Sequence, residues 1–245
     1  MSLVTYSREG LVARITLNRP EKLNSFNADL VDGLTDALAK AVASGARLVM
    51  FQAEGKGFSG GFDLGDIAGS TDGDLVLRFI RVEQLLQAVY HAPLATLALV
   101  HGPCYGAAAD LVVACQWRVA TPDARFRMPG SRFGLVLGTR RLADLVGEDT
   151  ARRLVLRDQP FAADDALAAG FLTHLSGREG WDDIQTAVLA QASAMDPLTF
   201  NRLSSRQRRD HRDADLAELV RSATDGSVKA RILAYLDQMA AARKG

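Results

Sequence analysis

From Val12 to Ala114 the chain alternates short β-branched runs with apolar residues at helical spacing, and little sequence is left over to connect them. Val12, Ile15 and Leu17 mark a strand that Asn18-Arg19-Pro20 stops, because proline cannot continue a ladder. Leu30, Val31, Leu34, Leu38, Ala41 and Val42 recur at helical spacing over 28–43, with capping residues between Asn24 and Asn27 ahead of them and Gly45 behind. Leu48 to Phe51 reads as a short buried strand. A helix from about Asp74 to Tyr90 places Leu75, Phe79, Val82, Leu86 and Val89 on one face and stops before Pro93. Leu94 to Val100 is the next strand, His101-Gly102-Pro103 turns the chain, and 106–114 is a third helix. Helices that link consecutive strands by short loops impose parallel pairing, so this part is expected to be α/β.

After Gly147 the pattern changes. Segments 149–157, 163–169, 182–194, 197–209, 214–223 and 227–242 all read as helical, and only Phe171 to Leu175 as extended. The expected division is a core over 1–175 and a helical region over 176–245.

Several function classes fall away on composition. Basic and acidic side chains balance at 29 each, which lacks the cationic excess a dedicated nucleic-acid binder needs. Two cysteines, Cys104 and Cys115, make neither a disulfide framework nor a cysteine-rich metal site, and the four histidines lack metal-ligand spacing. No metal is expected. The longest aliphatic run, Leu94 to Val100, is too short to span a bilayer. With no export signal at the N-terminus, a cytoplasmic location is expected.

Chemistry concentrates in two glycine-rich loops, each between a strand and a helix. One is Gly57-Phe58-Ser59-Gly60-Gly61-Phe62-Asp63-Leu64; the other is His101-Gly102-Pro103-Cys104-Tyr105-Gly106-Ala107-Ala108-Ala109-Asp110. Small residues let a ligand approach the backbone, and a helix N-terminus offers unpaired N–H groups at positive potential. Two such groups aimed at one point would form an oxyanion hole. Neither loop has a Walker A or a dinucleotide-binding pattern.

Together with Asn18-Arg19-Pro20-Glu21-Lys22-Leu23-Asn24-Ser25-Phe26, these loops resemble the ordered motifs of the crotonase (enoyl-CoA hydratase/isomerase) superfamily, and the likeness extends through Phe126, Pro129 and Gly134. The resemblance implies a crotonase-like α/β fold of repeated ββα units. It also implies a C-terminal helical trimerisation region, with assembly as a homotrimer or a hexamer made of two trimers. The ligand it implies is an acyl-CoA thioester, coenzyme A being part of the substrate and no separate cofactor being needed. By position, the backbone N–H groups of Phe62 and Ala107 would stabilise an enolate. Asp110 falls where relatives carry a catalytic glutamate, its carboxylate set back by roughly 1.5 Å. The second glutamate position falls on Gly130, which can move no proton. Ser131, Arg132, Tyr105 and Arg127 stand near enough in sequence to be considered as replacements, although packing or surface roles suit each better. The segment Gly138-Thr139-Arg140-Arg141-Leu142 keeps the family's G-T-x-R-L pattern in a shortened loop.

Substrate contacts are expected from Lys22, Leu23, Ser59, Gly60, Gly61, Asp63, Leu64, Gly106, Gly130 and Ser131, with Lys22 and Lys56 as phosphate partners. Tyr235 matches a C-terminal aromatic of the family, and the arginines at 202, 206, 208, 209 and 212 read as a solvated helix face. The expected activity is that of a hydratase/isomerase acting through an enolate. The alternatives are a one-carboxylate isomerase, decarboxylase or thioester hydrolase, or an acyl-CoA binder without turnover. RNA binding through the arginine-rich helix is the outlying reading.

Overall fold

A computed structural model describes residues 2–157 and 159–242. The expected boundaries at 1 and 245 therefore lie outside the described residues. The strands and helices are, in chain order, β1 (Val4–Glu9), β2 (Val12–Leu17), α1 (Ala28–Ala43), β3 (Leu48–Ala53), α2 (Asp72–Tyr90), β4 (Ala95–Val100), β5 (Pro103–Tyr105), α3 (Ala107–Ala114), β6 (Trp117–Ala120), β7 (Arg125–Arg127), α4 (Thr139–Val146), α5 (Glu148–Leu156), β8 (Phe161–Ala162), α6 (Ala163–Ala168), β9 (His174–Leu175), α7 (Trp181–Ser193), α8 (Pro197–Gln207), α9 (Arg212–Thr224) and α10 (Val228–Ala242).

The main sheet runs β1-β2-β3-β4-β6-β9. Its β1–β2 hairpin is antiparallel, and every later pair is parallel, with Val12 facing Leu48 and Leu48 facing Ala95. The α/β reading holds. A smaller sheet, β5-β7-β8, stands beside the first, so β5 leads directly into α3. β4 is buried along its whole length, as a strand covered on both faces must be.

The boundaries of the first half follow local rules. Asn27 caps α1 through Leu30 N at 3.0 Å, and Thr71 and Asp74 form a reciprocal capping box on α2. Four expectations are corrected. Strands β1 and β5–β8 carry too little apolar alternation to be read from sequence. A helix, α4, precedes Gly147, whose positive φ of 81° separates it from α5. Within 171–175 only His174 and Leu175 pair as a strand, because Phe171 turns into the core against Phe126 and Phe161. The helix expected over 197–209 ends at Gln207, where Arg208 goes extended and its side chain reaches back to the Tyr90 carbonyl at the end of α2. The five arginines therefore share no single face.

The C-terminal helices pack onto the core. Leu219, Ala223, Val228 and Ile232 of α9 and α10 join Phe79, Phe133 and Leu135 in one apolar cluster. No helix among the described residues is long and apolar enough to cross a membrane.

Candidate active site

A cavity of about 150 Å³ opens where the two glycine-rich loops meet α2, α10 and the segment after β7. Asn24 builds the first loop. It and Leu23 occupy the left-handed region at φ 48° and 47°, a conformation asparagine tolerates better than most residues. Its buried side chain accepts a bond from Arg19 N at 2.8 Å and donates to the carbonyls of Glu54, Gly57 and Phe58 at 2.9–3.2 Å. The Arg19–Asn24 turn is thus clamped to the loop that follows β3.

Glycines then bring the two loops into contact. A Cβ on Gly61, whose φ is +85°, would lie 2.3 Å from the Tyr105 carbonyl oxygen and 3.5 Å from Ala107 N. Only glycine permits that approach. Hydrogen bonds alternate along the first loop. Ser59 pairs with the second loop, Gly60 donates to Leu23 O at 2.8 Å, and Phe26 bonds to Gly61 O and Asp63 N. This alternation turns the N–H of Phe62 away from Phe26. On the other loop, Gly106 takes a φ of 53° and ψ of −125° ahead of α3, while Ala107 opens the helix with no positive φ. Among the described residues neither Phe62 N–H nor Ala107 N–H has an acceptor, and both residues line the cavity.

Asp110 sits in the first turn of α3, 4% exposed, and it is the one carboxylate among the described residues lining the cavity. Its Oδ1 has no hydrogen-bond partner. Burial drives its pKa up to about 8; the Arg141 charge works against that rise and the Glu83 charge adds to it. Gly138 lies directly over the carboxylate, since a Cβ there would stand 2.1 Å from Oδ1. Behind it Arg141 and Glu83 form a two-pronged ion pair of 2.8 and 2.5 Å, both side chains at most 5% exposed.

The other predicted residues divide cleanly. Gly60, Leu64, Gly106, Gly130 and Ser131 line the cavity. Ser131 Oγ, however, donates to Val155 O at 3.2 Å. Ser59 is fully buried and bonds Asn24 O and Gly61 N, so it braces the loop instead of facing a ligand. Asp63 pairs with Arg19. Burial pushes its carboxyl up, but bonds from Arg19 and the Gly65 amide outweigh that and hold it below the usual range. Gly61, Asp63, Leu23 and the exposed Lys22 lie outside the lining, and Lys56 is exposed on the first loop. His101 is held by Gly55 O at 2.9 Å. No group of His, Cys, Asp and Glu among the described residues is arranged to hold a metal.

Comparison with known proteins gives the family. Residues 7–227 match the enoyl-CoA hydratase/isomerase family model. The chain belongs to the enoyl-CoA hydratase/isomerase family. A solved structure from Bordetella parapertussis, described provisionally as an enoyl-CoA hydratase/isomerase, is 44% identical, covers 96% of this chain and 99% of its own, and superposes with a TM-score of 0.94. A Mycobacterium tuberculosis protein named a probable enoyl-CoA hydratase is 35% identical over 67% of each chain. The human mitochondrial Delta(3,5)-Delta(2,4)-dienoyl-CoA isomerase is 28% identical over 90% of this chain and 73% of its own. The crotonase fold is thereby established.

Within this family member, sequence reading missed Glu83, Arg141 and Gly138. The signal for Glu83 was present. It stands one turn beyond Phe79 on the buried face of α2, where a carboxylate requires a cationic partner. That the partner is Arg141 of the G-T-x-R-L segment depends on how α4 docks. The apolar walls also come from afar: Phe79 stacks on Phe62 at 4.1 Å, and Phe133 packs on Tyr235 of α10 at 5.4 Å.

Proposed function

We propose that this family member binds an acyl-CoA thioester, polarises its carbonyl between the N–H groups of Phe62 and Ala107, and shifts a double bond with Asp110 as its one proton carrier. The observation that carries this reading is a cavity with one carboxylate among its described lining residues, and glycine at position 130. Hydration needs a group to activate water and another to handle the α-carbon proton. A double-bond shift needs only one group, which takes a proton at one carbon and returns it at another.

In this reading the Asp110 carboxylate removes the C2 proton of a 3-enoyl thioester. The electrons move onto the thioester oxygen, which the two N–H groups receive as it becomes an enolate. The charge then returns through the chain, C4 takes the proton from Asp110, and a 2-enoyl thioester leaves. The carboxylate is regenerated and no co-reactant is consumed. The N-terminus of α3 adds its positive potential at the oxygen. A carboxyl with a pKa of about 8 is a stronger base than an ordinary one, and the fraction of it ionised for proton abstraction grows as pH rises toward that value. Leu64, Phe79, Phe133, Leu135 and Leu137 fit an apolar acyl group. The relative named a dienoyl-CoA isomerase is in keeping with this choice.

For the remainder of the substrate, Lys22 and Lys56 are proposed as phosphate partners, with Gly60, Gly61 and Leu23 shaping the backbone cradle. A division into a 1–175 core and a 176–245 assembly region, a homotrimer or hexamer, and a cytoplasmic location complete the reading. The test is incubation of 3-enoyl-CoA and trans-2-enoyl-CoA in deuterated water with mass-spectrometric detection. The expected product is a positional isomer that has gained no water. A 3-hydroxyacyl product forming as fast as the isomer would refute the proposal.

A further inference from the structure

A second cavity, of about 380 Å³, lies at the C-terminal end of α3, beyond the half of the helix that carries Asp110. Its walls include Arg118, Arg141, Arg208, Arg209 and Tyr90, with Asp144 as the one carboxylate among the described lining residues. Asp144 is 4.0 Å from Arg209, and the Nη groups of Arg141 are engaged by Glu83.

Arg118 and Arg208 are different. Among the described residues neither is paired with a carboxylate. Arg118 donates to the carbonyls of Phe171, Cys115 and Gln116 at 2.7–2.9 Å. Arg208 donates to Tyr90 O and lies 5.2 Å over the Tyr90 ring. Backbone carbonyls carry only partial negative charge, so these bonds place the guanidinium groups without neutralising them. Arg208 Nη2 is buried with no partner, and so is Arg141 Nε. Burial pulls the pKa values of Arg118 and Arg208 below the usual arginine value, with no carboxylate opposing it. Buried charge left unpaired is costly, and guanidinium donors match tetrahedral oxyanions in both charge and geometry.

We propose that this cavity is a binding site for a phosphate-class dianion, held by Arg118 and Arg208 with Arg209 at its rim. Tyr90 and the end of α3 form the floor, and Asp144 weakens the positive field on one side. The site is separate from the thioester cavity and does not depend on the reaction proposed there.

The test is calorimetric titration of the full-length protein with inorganic phosphate, against sodium chloride of matched ionic strength. Saturable binding above the chloride baseline is expected. Arg208→Gln should weaken it roughly ten- to a hundredfold, the worth of a charge-assisted hydrogen bond. Asp144→Asn should tighten it by removing a like charge, and this variant keeps the test decisive should Arg208→Gln fail to fold. Lys22→Gln and Lys56→Gln should leave it unchanged. The proposal is overturned by phosphate heats equal to those of chloride, by an affinity that Asp144→Asn does not raise, or by loss in the lysine variants with Arg208→Gln unaffected. It is also overturned if phosphate binds only to a dissociated form of the protein, since a second copy would then fill the cavity.

Discussion

Restoring a carboxylate at position 130 tests how far one missing side chain decides the reaction. Gly130 lines the cavity and its φ is not positive, so an L residue fits the backbone. A Cβ there would meet only Leu135 O, at 3.8 Å, which is ordinary contact. The Gly130→Glu variant should therefore fold, with stability within about 1 kcal/mol of the parent, because lost chain entropy in the unfolded state offsets part of the cost of placing a charge in the cavity. A well-placed general acid or base contributes about 10²–10⁴ in rate, and a misplacement of about 1 Å removes about 10². The net expectation is a gain of about tenfold in hydration of a short trans-2-enoyl-CoA. It is followed by loss of the conjugated-thioester absorbance and confirmed by the mass of one added water. Gly130→Gln, of equal size but unable to shuttle a proton, should give no gain. A second negative charge should also raise the apparent pKa of Asp110 above about 8 and move the pH profile upward. Equal rates for the glutamate and glutamine variants, or brisk hydration by the unaltered protein, would show that Gly130 is not what limits water addition.

Further consequences can be measured directly. Asp110 has a folded pKa of about 8 against an ordinary 3.8, so between those values the native state holds a proton that the unfolded state has released. Its contribution to stability is full at low pH and falls by about 1.4 kcal/mol per pH unit as pH rises through that window. Asp110→Asn should accordingly change stability little at pH 4 and raise it relative to the parent at pH 8 in denaturant titrations; parallel pH curves for the two proteins would contradict this. Gly61→Ala drives a methyl into the Tyr105 carbonyl and parts the loops, so turnover should drop about 10²–10³-fold, as when an oxyanion donor is lost, with acyl-CoA binding measured alongside. Glu83→Leu or Arg141→Met alone should each cost about 3–5 kcal/mol by stranding a buried charge, and the double variant should recover most of that in a thermal-unfolding cycle. Full additivity would deny the coupling.

Much of the fold was legible because its signals are local. The first three helices and the strands at 12, 48 and 95 declare themselves through spacing, caps and punctuation within a few residues. β5–β8 do not, since they are short and pair with strands that are not their chain neighbours or lie across a connection; β1, although hairpin-paired with β2, is mostly exposed and so carries a weak apolar signal. The candidate site divides in the same way. Residue type within short segments located the two glycine loops, and the resemblance of the surrounding motifs to the family pointed to Asp110 and to the glycine at 130. Only the tertiary structure decided that Ser59 and Asp63 brace the loop, that α10 closes the cavity with Tyr235, and that Gly138, Glu83 and Arg141 surround the Asp110 carboxylate. A carboxyl's proton affinity is set by the charges and water around it, and here the charges come from α2 and α4, which only the tertiary structure brings against α3.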